Sequence, residues 1–426
     1  MKIIFALVIA CSASLFSFAQ SIDKIINAKE VERIERVLAS DDMQGRKAFT
    51  PSIDKAAEFI AAEFKKSGLK HFDGLKSYQQ TFSMIKTNLI SASGSMDNKA
   101  IEPYNIIAIT SDAGLKFDEN AGYTKIVIDS SANLFKEAFE LLNSDKKYLV
   151  LVSTFHSKNF NRLNRFNRES FGIKAPVIFV LSDESPSTYH FEIKNEITSS
   201  SLANVIGVLP GKSKKDEYVI FSAHHDHLGI GKPDAKGDSI YNGANDDAAG
   251  TTAVMMLANY FSKLNNNERT LLFVTFTAEE MGGFGSQYFS KQIDPDKTMV
   301  LFNIEMIGTE SNWGKNSAYI TGYEKSDFGK ILQKNLKDSH FKFEPDPYTT
   351  QNLFYRSDNA TLAALGVPAH TISTSKMDNE PNYHKQSDEI ETLDMNNMAE
   401  IIKAIAISSK TIVSGEDTPT RVEKRD

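Results

Sequence analysis

Tyr218-Val219-Ile220-Phe221-Ser222, running straight into Ala223-His224-His225-Asp226-His227, is the stretch whose reading decides the fold. A β-forming, mostly apolar run ends abruptly in a polar cluster, and the pattern recurs downstream. Leu271–Phe276 is followed by Ala278-Glu279-Glu280, and Met299–Asn303 by Glu305. Between the first two runs, Val254, Leu257, Ala258, Phe261 and Leu264 fall at helical spacing, and a shorter helix is expected near Ser286. Val205–Leu209 is a further strand upstream. Strands alternating with helices predict an α/β fold: a mostly parallel sheet flanked by helices on both faces. Functional groups in such sheets collect in the loops leaving the carboxyl ends of the strands.

Upstream, Ile34, Val37 and Leu38 share a helix face, and a second helix is expected from Pro51-Ser52 to Gly68, with Ser52 as its N-cap. Gln44-Gly45-Arg46 between them reads as a polar turn. Short β-branched runs at Lys125–Ile128, Tyr148–Ser153 and Pro176–Leu181, with a helix over Asn133–Leu142, predict a smaller α/β unit inserted at 87–200. Its exit, Thr198-Ser199-Ser200-Ser201, reads as a loop. The expected organisation is therefore a leader at 1–19, the N-terminal helical part of the main domain at 20–86, the insert, the rest of the main domain at 201–413, and a disordered polar tail at 414–426.

The leader reading rests on Lys2, the apolar stretch Ile3 to Phe18 and a small-residue cleavage site at Ala19, which imply export to the periplasm or medium. A lipid anchor on Cys11 ranks lower, because too little apolar sequence precedes it. Cys11 is the only cysteine among 426 residues, so a chain cleaved after Ala19 has no disulfide and no thiol chemistry. Any metal must then be held by His, Asp and Glu. The net charge of -7 excludes a general polyanion binder. The basic, aromatic stretch Phe155 to Arg168 reads as a solvated edge of the insert, and no nucleic-acid partner is expected. Nor is stable membrane insertion expected once the leader is gone.

The polar clusters carry the chemistry. After the His224 cluster comes Asn242-Gly243-Ala244-Asn245-Asp246-Asp247, just before the long helix, and Tyr383-His384 with Asp388 lies near the C-terminus. Taken singly, adjacent acids cap helices and lone histidines satisfy themselves in cores. Gathered at successive strand ends they repel one another, and a bound cation resolves the conflict. Nitrogen and oxygen ligands without sulfur suit zinc, with cobalt or manganese as substitutes.

The series His224-x-Asp226, Gly243-Ala244-Asn245-Asp246-Asp247-Ala248-Ala249-Gly250, Ala278-Glu279-Glu280, Asn303-Ile304-Glu305-Met306-Ile307-Gly308 and Tyr383-His384 resembles the di-zinc exopeptidases of the aminopeptidase Y type. Bacterial leucyl aminopeptidases and glutamate carboxypeptidase are relatives, and the insert resembles their protease-associated domain in position and texture. The resemblance implies two zinc ions bridged by Asp246, with His224 and Glu305 on one and Glu280 and His384 on the other. It implies a cis peptide between Asp246 and Asp247, Asp226 and Asp247 supporting the ligands from behind, and Asp226 orienting His224 through its free ring nitrogen. Glu279 would be the general base, and peptides the substrates. Glu305 departs from the family's usual aspartate. Asn359, in Ser357-Asp358-Asn359, stands where relatives often carry histidine, in a segment expected to line the substrate pocket. The expected activity is aminopeptidase; carboxypeptidase and glutaminyl cyclase activities on the same core, or a non-catalytic binding role, are the alternatives.

Overall fold

The computed structural model describes residues 22–425, so the leader, its cleavage site and Cys11 lie outside the described residues. The chain forms two compact units, Phe82–Ser201 and the chain on either side of it. In the larger unit the strands are β1 (Tyr189–Leu209, entering this unit at Leu202), β2 (Lys214–His224), β3 (Arg269–Phe276), β4 (Thr298–Ile304), β5 (Ser317–Ile320), β6 (Lys342–Pro345) and β7 (Ala369–Ser373). They lie in the order β6-β5-β7-β4-β2-β3-β1. β2 pairs in parallel with β3 on one side and β4 on the other, and β4 pairs in parallel with β7. β1 and β5 are antiparallel to their neighbours β3 and β7.

The chain therefore leaves β2 for β3 and then crosses back to β4, which makes the carboxyl end of β2 the point where strand order reverses. A crevice opens at such a point. The register sets His224 opposite Phe276 and Ser222 opposite Asn303, so the polar clusters emerge side by side.

Both faces of the sheet are buried, which is why its strands read as continuous apolar runs. On one face Val219, Phe221, Leu271, Phe273, Val300 and Phe302 pack beneath helices α1 (Ala28–Leu38), α2 (Pro51–Lys66), α3 (Ala249–Leu264), α5 (Phe328–Asn335) and α7 (Met395–Ser408). On the other, Ile220, Leu272, Val274 and Leu301 meet α4 (Phe284–Ser290) and α6 (Asn359–Ala364). Gly250, in the first turn of α3, allows the closest approach. A Cβ there would collide with the carbonyl oxygen of Ile304 and with the carboxylate of Asp247, both held in place by their own bonding.

Three local expectations are corrected. The N-cap of α2 is Thr50, not Ser52, because Pro51 sits in the first turn, where its missing N–H costs nothing. Thr198–Ser201 is not a loop but lies within the 21-residue strand β1, whose exposed side chains there can be polar at no cost. The tail after 414 is ordered against the larger unit. Val422 is buried beside Val367, the main-chain N–H groups of Val422 and Arg425 donate to the carbonyls of Gly366 and Ala364, and the Arg425 guanidinium lies 3.4 Å from the Tyr355 ring centroid. A polar composition hid one apolar anchor and a set of backbone bonds.

In the smaller unit Ile106–Ile109, Val177–Leu181, Tyr148–Val152 and Thr124–Ile128 form a four-stranded sheet in that order, and Asn133 caps the helix Leu134–Leu142. The basic stretch folds onto its own aromatic neighbour, with Arg162 and Arg165 over the Phe135 ring at 5.1 and 4.1 Å. Cations engaged in this way fit the solvated-edge reading.

Phe221 anchors the main core, stacked on Phe302, Phe261 and Phe273 at 4.8, 5.4 and 5.6 Å. Phe221→Ala is expected to cost about 3–5 kcal/mol, seen as a lower urea midpoint with an unchanged slope.

Candidate metal centre

His224 is the last residue of β2, and its ring is locked from behind: Nδ1 lies 3.1 Å from the main-chain carbonyl oxygen of Asp226. The Asp226 carboxylate stands farther off, at 3.8 Å, and instead accepts the main-chain N–H groups of Glu279 and Glu280 at 3.0 and 3.3 Å. Asp226 thus orients the imidazole with its backbone and the two glutamates with its side chain. Burial pushes this carboxyl up to about 6.

The loop before α3 turns on Gly243, at φ +58. The peptide bond between Asp246 and Asp247 is cis. Asp247 points inward, and its carboxylate accepts the N–H groups of His224, Gly250 and Met306 at 3.3, 2.9 and 3.1 Å. One buried side chain therefore ties the end of β2, the start of α3 and the exit of β4 together. Asp388 does the same for the acidic loop, accepting from the N–H groups of Asn245 and Asp246 at 2.8 and 3.0 Å.

Asp246 faces the other way. Its Oδ1 lies 3.2 Å from His224 Nε2, and its Oδ2 lies 3.3 Å from His384 Nε2. His384 Nε2 is also 3.2 Å from Glu280 Oε2. Glu305, just beyond β4, groups with His224 and Asp246 closely enough to share an ion, and His227 groups in the same way with Asp246 and Glu280. Burial alone would raise the Asp246 carboxyl, but its contacts with His224 and His384 outweigh that and hold it well below the usual range. Glu279 is the reverse case: burial, reinforced by Glu305, Asp358 and Glu280, holds its carboxyl well above the usual range despite His224.

The donors fit zinc. His224 Nε2, Asp246 Oδ2 and Glu280 Oε1 are buried with no hydrogen-bond partner. Nitrogen and oxygen ligands at zinc's bond lengths lie about 3.3 Å apart around a tetrahedral ion, which matches the 3.2–3.3 Å separations of these imidazole–carboxylate pairs.

Glu279, Glu280, Glu305, Tyr383 and His384 line a pocket with Asp246 at its floor, and Met306, Leu353 and Met377 supply apolar wall. The segment at 357 reaches it through Ser357 and Arg356. Asn359 does not: it is fully buried and donates to the carbonyls of Phe354 and Ala369, a structural role inside the core. Two residues of the centre are not legible from motif spacing. Arg46, whose neighbours suggest a polar turn, is completely buried and donates to the carbonyls of Leu38, His225, Asn242 and Gly243. His227 closes the cluster that His224 opens, and that adjacency is the one sequence signal pointing to it.

Imidazoles and carboxylates buried together at the carboxyl edge of this sheet define a metallopeptidase. The chain belongs to peptidase family M28, which it matches over residues 204–408. It is 20% identical to aminopeptidase YwaD of Bacillus subtilis over 99% of this chain and 96% of that protein. It is 25% identical to a probable leucine aminopeptidase of Trichophyton verrucosum, over 70% of this chain and 78% of the relative. The aminopeptidase structure from an Aneurinibacillus species shares the fold, with a TM-score of 0.55 at 17% identity, covering 95% of this chain and 96% of that one.

Asp388→Ala should release the acidic loop while leaving every pocket-facing donor in place. Zinc affinity measured against a competing chelator is expected to fall about 10–100-fold, as when an outer partner of a ligand is lost.

Proposed function

We propose that the protein is an exported di-zinc aminopeptidase that removes N-terminal residues from peptides. The observation that carries the two-ion reading is Asp246, whose two carboxylate oxygens address two different imidazoles, Oδ1 toward His224 and Oδ2 toward His384. One ion would take His224, Asp246 and Glu305, the other Asp246, Glu280 and His384. The relatives' names support zinc and the aminopeptidase assignment, and the leader-like residues 1–19 support export.

Zinc bound here would acidify a water and polarise the scissile carbonyl. The chain's own residues supply the rest. Glu279 opens on the pocket without sharing the ligands' contacts, and its raised affinity for a proton suits a base that takes one from water and passes it to the leaving amine. Its position is fixed through its own backbone, held by Asp226. The free α-amine of a substrate meets a pocket lined by Asp246, Glu279, Glu280 and Glu305, where a positive end group is favoured over a negative one. Met306, Leu353 and Met377 suit an apolar side chain on the terminal residue.

The test is hydrolysis of amino-acid p-nitroanilides beside N-blocked peptides, with zinc and after chelation. Release from free N-termini should require zinc, and Glu279→Gln should reduce kcat about 10²–10⁴-fold with zinc content unchanged. Cleavage of N-blocked peptides alone would make the protein a carboxypeptidase. Inactivity on both substrates with zinc bound would favour cyclisation or binding instead.

A further inference from the structure

His227 is fully buried beside Glu280, and nothing in the motif series gives it work. Its Nδ1 lies 2.9 Å from Glu280 Oε1 and 4.0 Å from Asp246 Oδ2. Yet neither ring nitrogen of His227, nor Glu280 Oε1, makes a hydrogen bond. A nitrogen and a carboxylate oxygen that approach this closely without aiming at each other are aimed at a common third point. His224 Nε2 and Asp246 Oδ1 show the same signature, close at 3.2 Å with Nε2 left without a hydrogen bond.

The histidines elsewhere in the core show what an ordinary buried imidazole looks like. His370 is satisfied at both nitrogens, by Ser326 Oγ at 2.7 Å and by the carbonyl of Thr321 at 2.9 Å. His225 has two unpartnered nitrogens as well, but no carboxylate within ion-pairing distance; burial drives it neutral, to about 3. His227 combines unpartnered nitrogens with two converging carboxylates. The loop is shaped around its ring: a Cβ on Gly243 would stand 2.5 Å from His227 Cγ and 2.6 Å from Cδ2. Gly243 is thus needed twice, for its left-handed turn and for the space that lets the imidazole reach the centre.

We infer that His227 is a ligand of the second ion, so that this subsite holds two imidazoles, His227 and His384, with Asp246 and Glu280. The inference rests on the two-ion reading of the centre. A second imidazole makes this subsite richer in nitrogen than the His224 subsite and favours zinc over oxygen-preferring ions there.

The test is zinc titration of the full mature chain against a competing chelator, together with the Co²⁺ absorption spectrum, for wild type, His227→Ala and His227→Asn. Asparagine places an amide N–H near the position of Nδ1, so it preserves a hydrogen bond to Glu280 but not an imidazole ligand. Both variants should lose affinity for one ion by more than the about 10–100-fold typical of an outer partner, keep the other ion, and show an altered Co²⁺ band for the lost subsite. Retention of one tightly bound zinc shows that the variant has folded. If His227→Asn binds two ions as wild type does while His227→Ala does not, His227 only orients Glu280 and the inference is overturned. It is also overturned if both variants keep two ions unchanged. Wild type that takes up a single zinc would sink the two-ion reading itself, and this inference with it.

Discussion

Too many carboxylates share one edge of one sheet, and the rest of the larger unit answers that fact. Asp226, Asp246, Asp247, Glu279, Glu280, Glu305 and Asp388 all converge where β2, β3 and β4 end. Left to themselves they would repel, take up protons and swell the site open. The fold divides them by direction. Those turned into the protein are satisfied by backbone: Asp247 by three N–H groups, Asp226 and Asp388 by two each. Asp246 and Glu280, turned toward the pocket, meet imidazoles instead.

That division explains why function and stability cannot be separated here. The acids that hold the loops are the same kind of group as the acids offered to the metal, and each inward one bonds N–H groups of residues adjacent to or within the pocket-facing set. Arg46 completes the arrangement. Its guanidinium binds four main-chain carbonyls from three separate segments, and the buried charge stands near Glu35, Asp388, Asp226 and Asp246. A cation fixed by carbonyls rather than by a carboxylate leaves the acids free for other partners while lowering their mutual repulsion.

Legibility in the sequence follows the range of the interaction. An apolar run that stops at a His or Glu cluster is a local pattern, and a window of about ten residues is enough to place His224, Glu279, Glu280 and Glu305 at strand ends. The helices α1, α2 and α3 are visible for the same reason, since their apolar spacing is written within a few turns. Asn359 and Arg46 mislead because their surroundings are not local: residue types common on surfaces are buried, and the partners of Arg46 lie up to 197 positions away. The segment at 198–201 and the tail mislead through composition, since polar side chains on extended backbone leave the main-chain bonding free to form.

By itself, the sequence determined the α/β alternation, the family and the set of residue types available for metal chemistry, because periodicity and motif spacing are properties of neighbouring positions. Only the tertiary structure decided which oxygen of Asp246 faces which imidazole, that Asp226 orients His224 by its carbonyl and the glutamates by its carboxylate, and that His227 stands beside Glu280. Those pairings depend on the register of parallel strands and on loops joined by side chains distant along the chain. Both arise from packing a sheet between two layers of helices, and no window of sequence contains them.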